Sequence, residues 1–335
     1  MGNGAYKLAN HIINEKIEFE RNPLYWNDKE TVINSATFLA IENPSTDVAR
    51  YRAGDLDMTS YALPPEQFAK LQKELPGEVF TTRTLATYSY ELNNKKAPFD
   101  NVNVRKALNL SLDRNVITDK VLGQGQTPTY VFTPTYIEEG QLIQQPAYSK
   151  EPMAQRNEEA IKLLEEAGYS KANPLKFSIL YNTNENHKKV AIAAASMWKA
   201  NTKGLIDVKL ENQEWKTYID SRRAGRYDAA RAGWNADYNQ ATTFGNYFLS
   251  NSSNNTAKYA NPEYDKAIAE SYVATDAEGR AKAYAKAEEI LAKDFGIVPI
   301  FNYVNPRLVK PYVKGYSGKD PQDHIYLRNL YIIKH

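Results

Sequence analysis

The chain has 335 residues, more than a single ordinary hydrophobic core usually holds, so two packed lobes are expected. Hydrophobic residues at 42%, charged residues at 24% and only 16 Gly and 16 Pro exclude a disordered or fibrous chain. Lys and Arg number 42 against 40 Asp and Glu, and this net charge of +2 lacks the basic excess of a nucleic-acid binder, while zero Cys removes thiol nucleophiles, disulfides and Cys-ligated metals.

The chain opens on Gly2-Asn3-Gly4 and runs straight into Ala5 to Leu8 and the alternating Ile17, Glu18, Phe19, Glu20, so it begins mid-sheet. Ala36 to Ile41 alternates again and ends at Pro44, and Ser45 is expected to cap a short helix over Asp47 to Tyr51 that Gly54 closes. Pro64 and Pro65 suit a helix start, and Phe68, Leu71 and Leu75 recur at helical spacing until Pro76-Gly77. Val79 to Leu92, rich in Thr, Tyr and Phe, reads as one long extended segment, with a lobe crossing near residues 84–90.

Val104, Ala107, Leu108 and Leu112 form a helical stripe, and Arg114 to Val121 begins a further helix before a loop-like stretch over 123–152. A helix over Glu158 to Ala167, capped by Gly168, precedes the alternating Leu175, Phe177, Ile179 and Tyr181. A helix from His187 to Ala200, a strand through Ile206, Val208 and Leu210, a helix over Trp215 to Ala224 and a strand over Tyr227 to Gly233 continue the alternation. That order predicts an α/β lobe with helices over a sheet, where ligands gather at strand ends. Helices over Glu263 to Val273 and Ala277 to Asp294, a strand over Ile297 to Val304 and a tail that alternates after Pro306 and ends in Ile325 to Ile333 complete the pattern. No run approaches the 18 apolar residues of a membrane span, and the start lacks the residue order of a signal peptide.

The enzyme templates fail: Gly123-Gln124-Gly125 is no dinucleotide fingerprint, Gly315 to Lys319 lacks the P-loop spacing, and no G-x-S-x-G elbow occurs. The four His, at 11, 187, 324 and 335, are too scattered for a local metal motif, so no metal, cofactor or catalytic residue is expected. A sugar-active enzyme with paired carboxylates in an aromatic cleft is the alternative of a different class. The densest constellation is Arg222, Arg226, Asp228, Arg231, Trp234, Asp237 and Tyr238, over one helix-to-strand-to-loop passage. Arg231-Ala232-Gly233-Trp234 sets a guanidinium, an approachable backbone and a stacking indole side by side, with Asp237 three residues on, the groups a zwitterionic short peptide would need. An internal ion pair of Asp237 with Arg231 is the structural alternative.

Ala229 to Asn239 resembles the ligand-facing segment of the periplasmic oligopeptide-binding proteins of ABC importers, solute-binding protein family 5, and Leu249 to Thr256 resembles the Asn-rich stretch that follows it. Tyr51 to Met58, Asn93 to Asp100, Val104 to Arg114, Tyr181 to Lys189, Glu211 to Tyr218 and Asn305 to His335 are similar too, so the likeness spans nearly the whole chain. It implies an α/β, two-lobed fold of the type II periplasmic-binding-protein kind, lacking the N-terminal part of lobe I and the small extra domain. Residues 1–85 would be partial lobe I, 86–304 the second ligand-binding lobe and 305–335 the return to lobe I.

The resemblance further implies a periplasmic full-length protein that hands short peptides to an importer permease, without catalysis, the peptide held between closing lobes by its backbone. Asp237 would hold the peptide ammonium, and Arg231, Arg222 and His187 would be alternative carboxylate partners. Gly233 and Asn235 would offer backbone groups, and Trp215, Trp234, Asn254 and Tyr303 would line the pocket. Leu122 stands where the best-known member has Lys, Asn235 where it has Cys, and Thr84 and Ser89 where Tyr occurs, which leaves room for a specialised murein-peptide-binding relative.

Overall fold

A computed structural model describes residues 2–60 and 62–335; Met1, where the expected first lobe begins, and Tyr61 lie outside the described residues. The chain divides into two compact units, Met1–Thr84 with Val304–His335, and Leu85–Tyr303.

In the first unit, β1 (Tyr6–Ile12), β2 (Lys16–Arg21) and β3 (Ser35–Leu39) form an antiparallel sheet in that order. Helix α1 runs Pro44–Ala53, and its N-cap is Asn43 rather than the expected Ser45. The Asn43 Oδ1 accepts from the backbone N–H groups of Ser45 and Thr46, and Pro44 at the first helical position has no N–H to satisfy. Gly54 ends the helix in the left-handed region at φ 88°, as expected. Helix α2 (Pro65–Glu74) buries Phe68 and Leu71 against Val48, Tyr51, Leu63 and Leu308, which is the core of this unit.

Strand β4 (Val79–Leu92) begins in the first unit and continues into the second. Its period-2 pattern serves two cores: Tyr88, Tyr90 and Leu92 join one, and Leu85 joins another. Helix α3 (Val102–Leu110) follows, and the expected helix at 114 is wound as a π-helix over Val116–Leu122, with Leu122 buried in the first of those cores. After the two-residue β5 (Thr127–Pro128) comes α4, which at Met153–Glu166 starts five residues before the expected Glu158.

Next in order are β6 (Leu175–Asn182), α5 (Glu185–Asn201), β7 (Ile206–Gln213), α6 (Trp215–Arg223) and β8 (Ala229–Asn235). Then follow the one-turn α7 (Thr242–Gly245), α8 (Pro262–Val273), α9 (Ala277–Lys293) and β9 (Ile297–Leu308). The sheet order is β5-β9-β4-β8-β6-β7, with β6 parallel to β7 and β8 and with β8 antiparallel to β4, a mixed α/β sheet. Strand β6 carries Leu175, Phe177 and Ile179 into the first core with Trp198 of α5, whose Nε1 donates to the Leu108 carbonyl at 2.9 Å.

Strand β9 leads back into the first unit, where β10 (Val313–Lys314) pairs with β11 (Tyr331–Ile332). The tail is therefore not one strand over Ile325 to Ile333, because a 3₁₀ turn at Leu327–Asn329 interrupts it. Of those residues only Leu330 is buried, so the alternation has no core to serve.

Candidate functional site

All ten residues singled out from the sequence lie in the second unit, on β8, β9, α5, α6 and the loops after β8. Arg231 stands directly opposite Tyr90 of β4, and Gly233 directly opposite Tyr88, so these four share one face of the sheet. The Arg231 Cζ lies 5.1 Å from the centroid of the Tyr88 ring, and its Nη2 donates to the Tyr303 hydroxyl. The Tyr88 ring in turn lies 5.6 Å from His187, 5.9 Å from Tyr303 and 4.7 Å from Phe301. A Cβ at Gly233 would come within 2.9 Å of Arg231 Nη2 and 3.0 Å of the Tyr303 hydroxyl, so glycine lets the guanidinium lie across the strand.

His187 sits in the first turn of α5, whose cap is Asn184, with Oδ1 accepting from the His187 N–H at 3.1 Å. Burial, followed by the nearby Arg231 charge, holds the imidazole well below its ordinary pKa, so it is neutral at pH 7. Among the described residues no carboxylate pairs with Arg231, and the Asp237–Arg231 ion pair that the sequence left open does not occur there. The structure thus brings Arg231, Gly233, His187 and Tyr303 together around a guanidinium whose polar neighbours are hydroxyls, an imidazole and backbone.

A second group forms around Thr243. Its hydroxyl accepts from Trp234 Nε1 and donates to Asp237 Oδ2, both at 3.2 Å, and the Trp234 ring lies 4.8 Å from Tyr247. Trp234 therefore packs on the face opposite Arg231, as its position between Gly233 and Asn235 requires. Asn235 and Asp237 are exposed beyond it. Trp215, 57% exposed at the start of α6, stacks on Tyr218, and the Tyr218 hydroxyl donates to the Arg231 carbonyl. Asn254 is exposed in the turn before Thr256, and the described contacts join neither it nor Asn235 to the Arg231 group.

Arg222, expected as an alternative carboxylate partner, has an internal one instead. Its Nε and Nη2 each reach a Glu91 carboxylate oxygen at 2.9 Å, and Glu91 also accepts from the Tyr247 hydroxyl at 2.7 Å and from Thr256 Oγ1. Glu91 is only 1% exposed, so it claims a countercharge, and a two-pronged guanidinium supplies it. Sequence reasoning missed Glu91, Tyr88 and Tyr90. Their signal was a lone acid inside a Thr- and Tyr-rich strand and two tyrosines spaced by two.

The second unit is thus an α/β unit that gathers a guanidinium, a neutral imidazole and tyrosines beside an approachable glycine. The family model for bacterial extracellular solute-binding proteins, family 5 middle, matches residues 1–256, and the chain belongs to that family. It is 96% identical over 335 residues to the periplasmic oligopeptide-binding protein OppA of Haemophilus influenzae, covering 100% of this chain and 62% of that protein. It is 43% identical to the periplasmic murein peptide-binding protein MppA of Escherichia coli, again over 100% of this chain and 62% of the relative. Among solved structures, H. influenzae OppA in complex with RPPGFSPFR matches with a TM-score of 0.94 at 96% identity, covering 99% of this chain and 65% of the other. The chain thus spans less than two thirds of the length of these relatives.

Proposed function

We propose that this chain belongs to an extracytoplasmic solute-binding protein that captures short peptides in the periplasm for an ABC importer permease, without catalysis. The observation that carries the reading is Arg231, a guanidinium with no carboxylate partner among the described residues, set among tyrosines beside a neutral His187. Such a site has one natural complement, a ligand carboxylate. Arg231 and His187 take that carboxylate, exposed Asp237 takes the ammonium, and Gly233 and Asn235 offer backbone. Trp215, Trp234, Asn254 and Tyr303 line the site. Residues 1–85 and 305–335 then serve as lobe I and 86–304 as the second lobe. The names of the relatives support an oligopeptide ligand over a murein peptide, because identity is 96% to the first kind and 43% to the second.

The test is thermal unfolding of this chain, and of the full-length protein, against a mixed library of di- to pentapeptides. Saturable stabilisation of the full-length protein, lost on Arg231→Met, is expected. Absence of any shift in the full-length protein overturns the reading.

A further inference from the structure

We propose that Glu139 is a positioning residue: clamped by one stripe of α9, it holds in place the loop that carries Asp237 beyond the end of β8. Glu139 is a non-glycine residue in the left-handed region, at φ 64°, and its side chain is only 4% exposed. Glycine takes that conformation freely and glutamate does not, so the contacts of its side chain must hold it there. Those contacts come from two distant segments. Arg280 of α9 donates from Nε and Nη2 to Oε1 at 2.8 and 2.6 Å, and Gln240 Nε2 donates to Oε2 at 2.9 Å. The backbone adds two bonds, since the Ala241 N–H donates to the Glu138 carbonyl at 3.0 Å and the Glu138 N–H to Asn239 Oδ1 at 3.2 Å.

Arg280, Tyr284 and Glu288 recur every four residues along one stripe of α9, and each meets one of the same two loops. The Tyr284 hydroxyl lies 3.0 Å from Thr242 Oγ1, and Glu288 accepts from Thr133 Oγ1 at 2.7 Å and from the Phe132 and Thr133 N–H groups. From Gln240 the hold passes along the chain. Its carbonyl accepts from the Thr243 N–H at 3.3 Å, and Thr243 Oγ1 accepts from the Asp237 N–H and donates to Asp237 Oδ2, both at 3.2 Å. The exposed Asp237 is thereby tied to a buried carboxylate. The step from loop position to affinity rests on the reading of Asp237 as the ammonium partner; the step from Glu139 to loop position does not.

Hydrogen exchange of the whole chain tests the hold, and calorimetry of the full-length protein tests its use. In Glu139→Gln the amides of Asp237 and Ala241 should exchange about tenfold faster, with those of α5 and β6 unchanged. Gln240→Ala, which leaves no charge unpaired, should do the same and decides the matter if the first variant does not fold. With RPPGFSPFR as the probe, Glu139→Gln should weaken binding about tenfold, and with its N-acetylated form not at all, because only the free peptide carries the ammonium. Unchanged exchange at 237 and 241, exchange that quickens throughout the second unit, or equal weakening for both peptides overturns the proposal. If the wild type does not distinguish the two peptides and Asp237→Asn changes neither affinity, the ammonium reading falls, and exchange alone then decides whether Glu139 holds the loop.

Discussion

Glu91 and Arg222 show how one buried charge fixes its surroundings. Glu91 accepts from Arg222, Tyr247 and Thr256, so three separate segments converge on one carboxylate. Replacing Glu91 by Gln leaves the guanidinium without its countercharge, and we expect a loss of about 3–5 kcal/mol in urea unfolding. A double variant, Glu91→Leu with Arg222→Met, should recover most of that loss, because it removes both charges. His187 offers a second residue-scale prediction. Its folded pKa is depressed by burial and then by Arg231, so the folded state resists protonation that the unfolded chain accepts. Stability is therefore full above the unfolded value of 6.5 and declines as pH falls below it toward the folded pKa. Unfolding midpoints measured from pH 7.5 to pH 5 should fall more steeply in the wild type than in His187→Gln; equal slopes would remove the imidazole from the account.

At the scale of elements, the β10–β11 pair depends on Gly315, which has φ +85° and whose added Cβ would run into the Asn329 backbone carbonyl. Backbone cannot swing aside as a side-chain tip can. Gly315→Ala should release this pairing, and hydrogen exchange should show lost protection over 313–332 with protection in α5 and β6 unchanged. Gly233 is the opposite case, since its added Cβ would meet the mobile end of Arg231. The expected result of Gly233→Ala is a folded chain with a displaced guanidinium. The two glycines look alike in the sequence, and their neighbours give them different work. Asn43 makes a related point, because Asn43 and Ser45 are both good caps and the fall of the first turn picked the earlier one.

At the scale of the whole molecule, each unit has its own core: Leu71 is fully buried in the first and Trp198 in the second. Leu71→Ala should cost about 2–5 kcal/mol, read as faster exchange in α1 and α2, and leave the amides of α5 and β7 as protected as before. If all amides accelerate together, the two cores unfold as one. The amino-acid order by itself determined the run of elements from Leu175 to Asn235, because hydrophobic period, capping and glycine stops act within a turn or a strand. It also determined which segment carries the densest charge and aromatic chemistry, Arg222 to Tyr238, since those residues are neighbours in the chain. It could not determine which of those charges face inward. Arg222 meets Glu91 from 131 residues away and Arg231 meets Tyr303 from 72 residues away, pairings set by strand order and register. Only the tertiary structure could therefore assign Arg222 to an internal carboxylate and leave Arg231 without one among the described residues, because the partner of a charge is decided by what folding brings beside it.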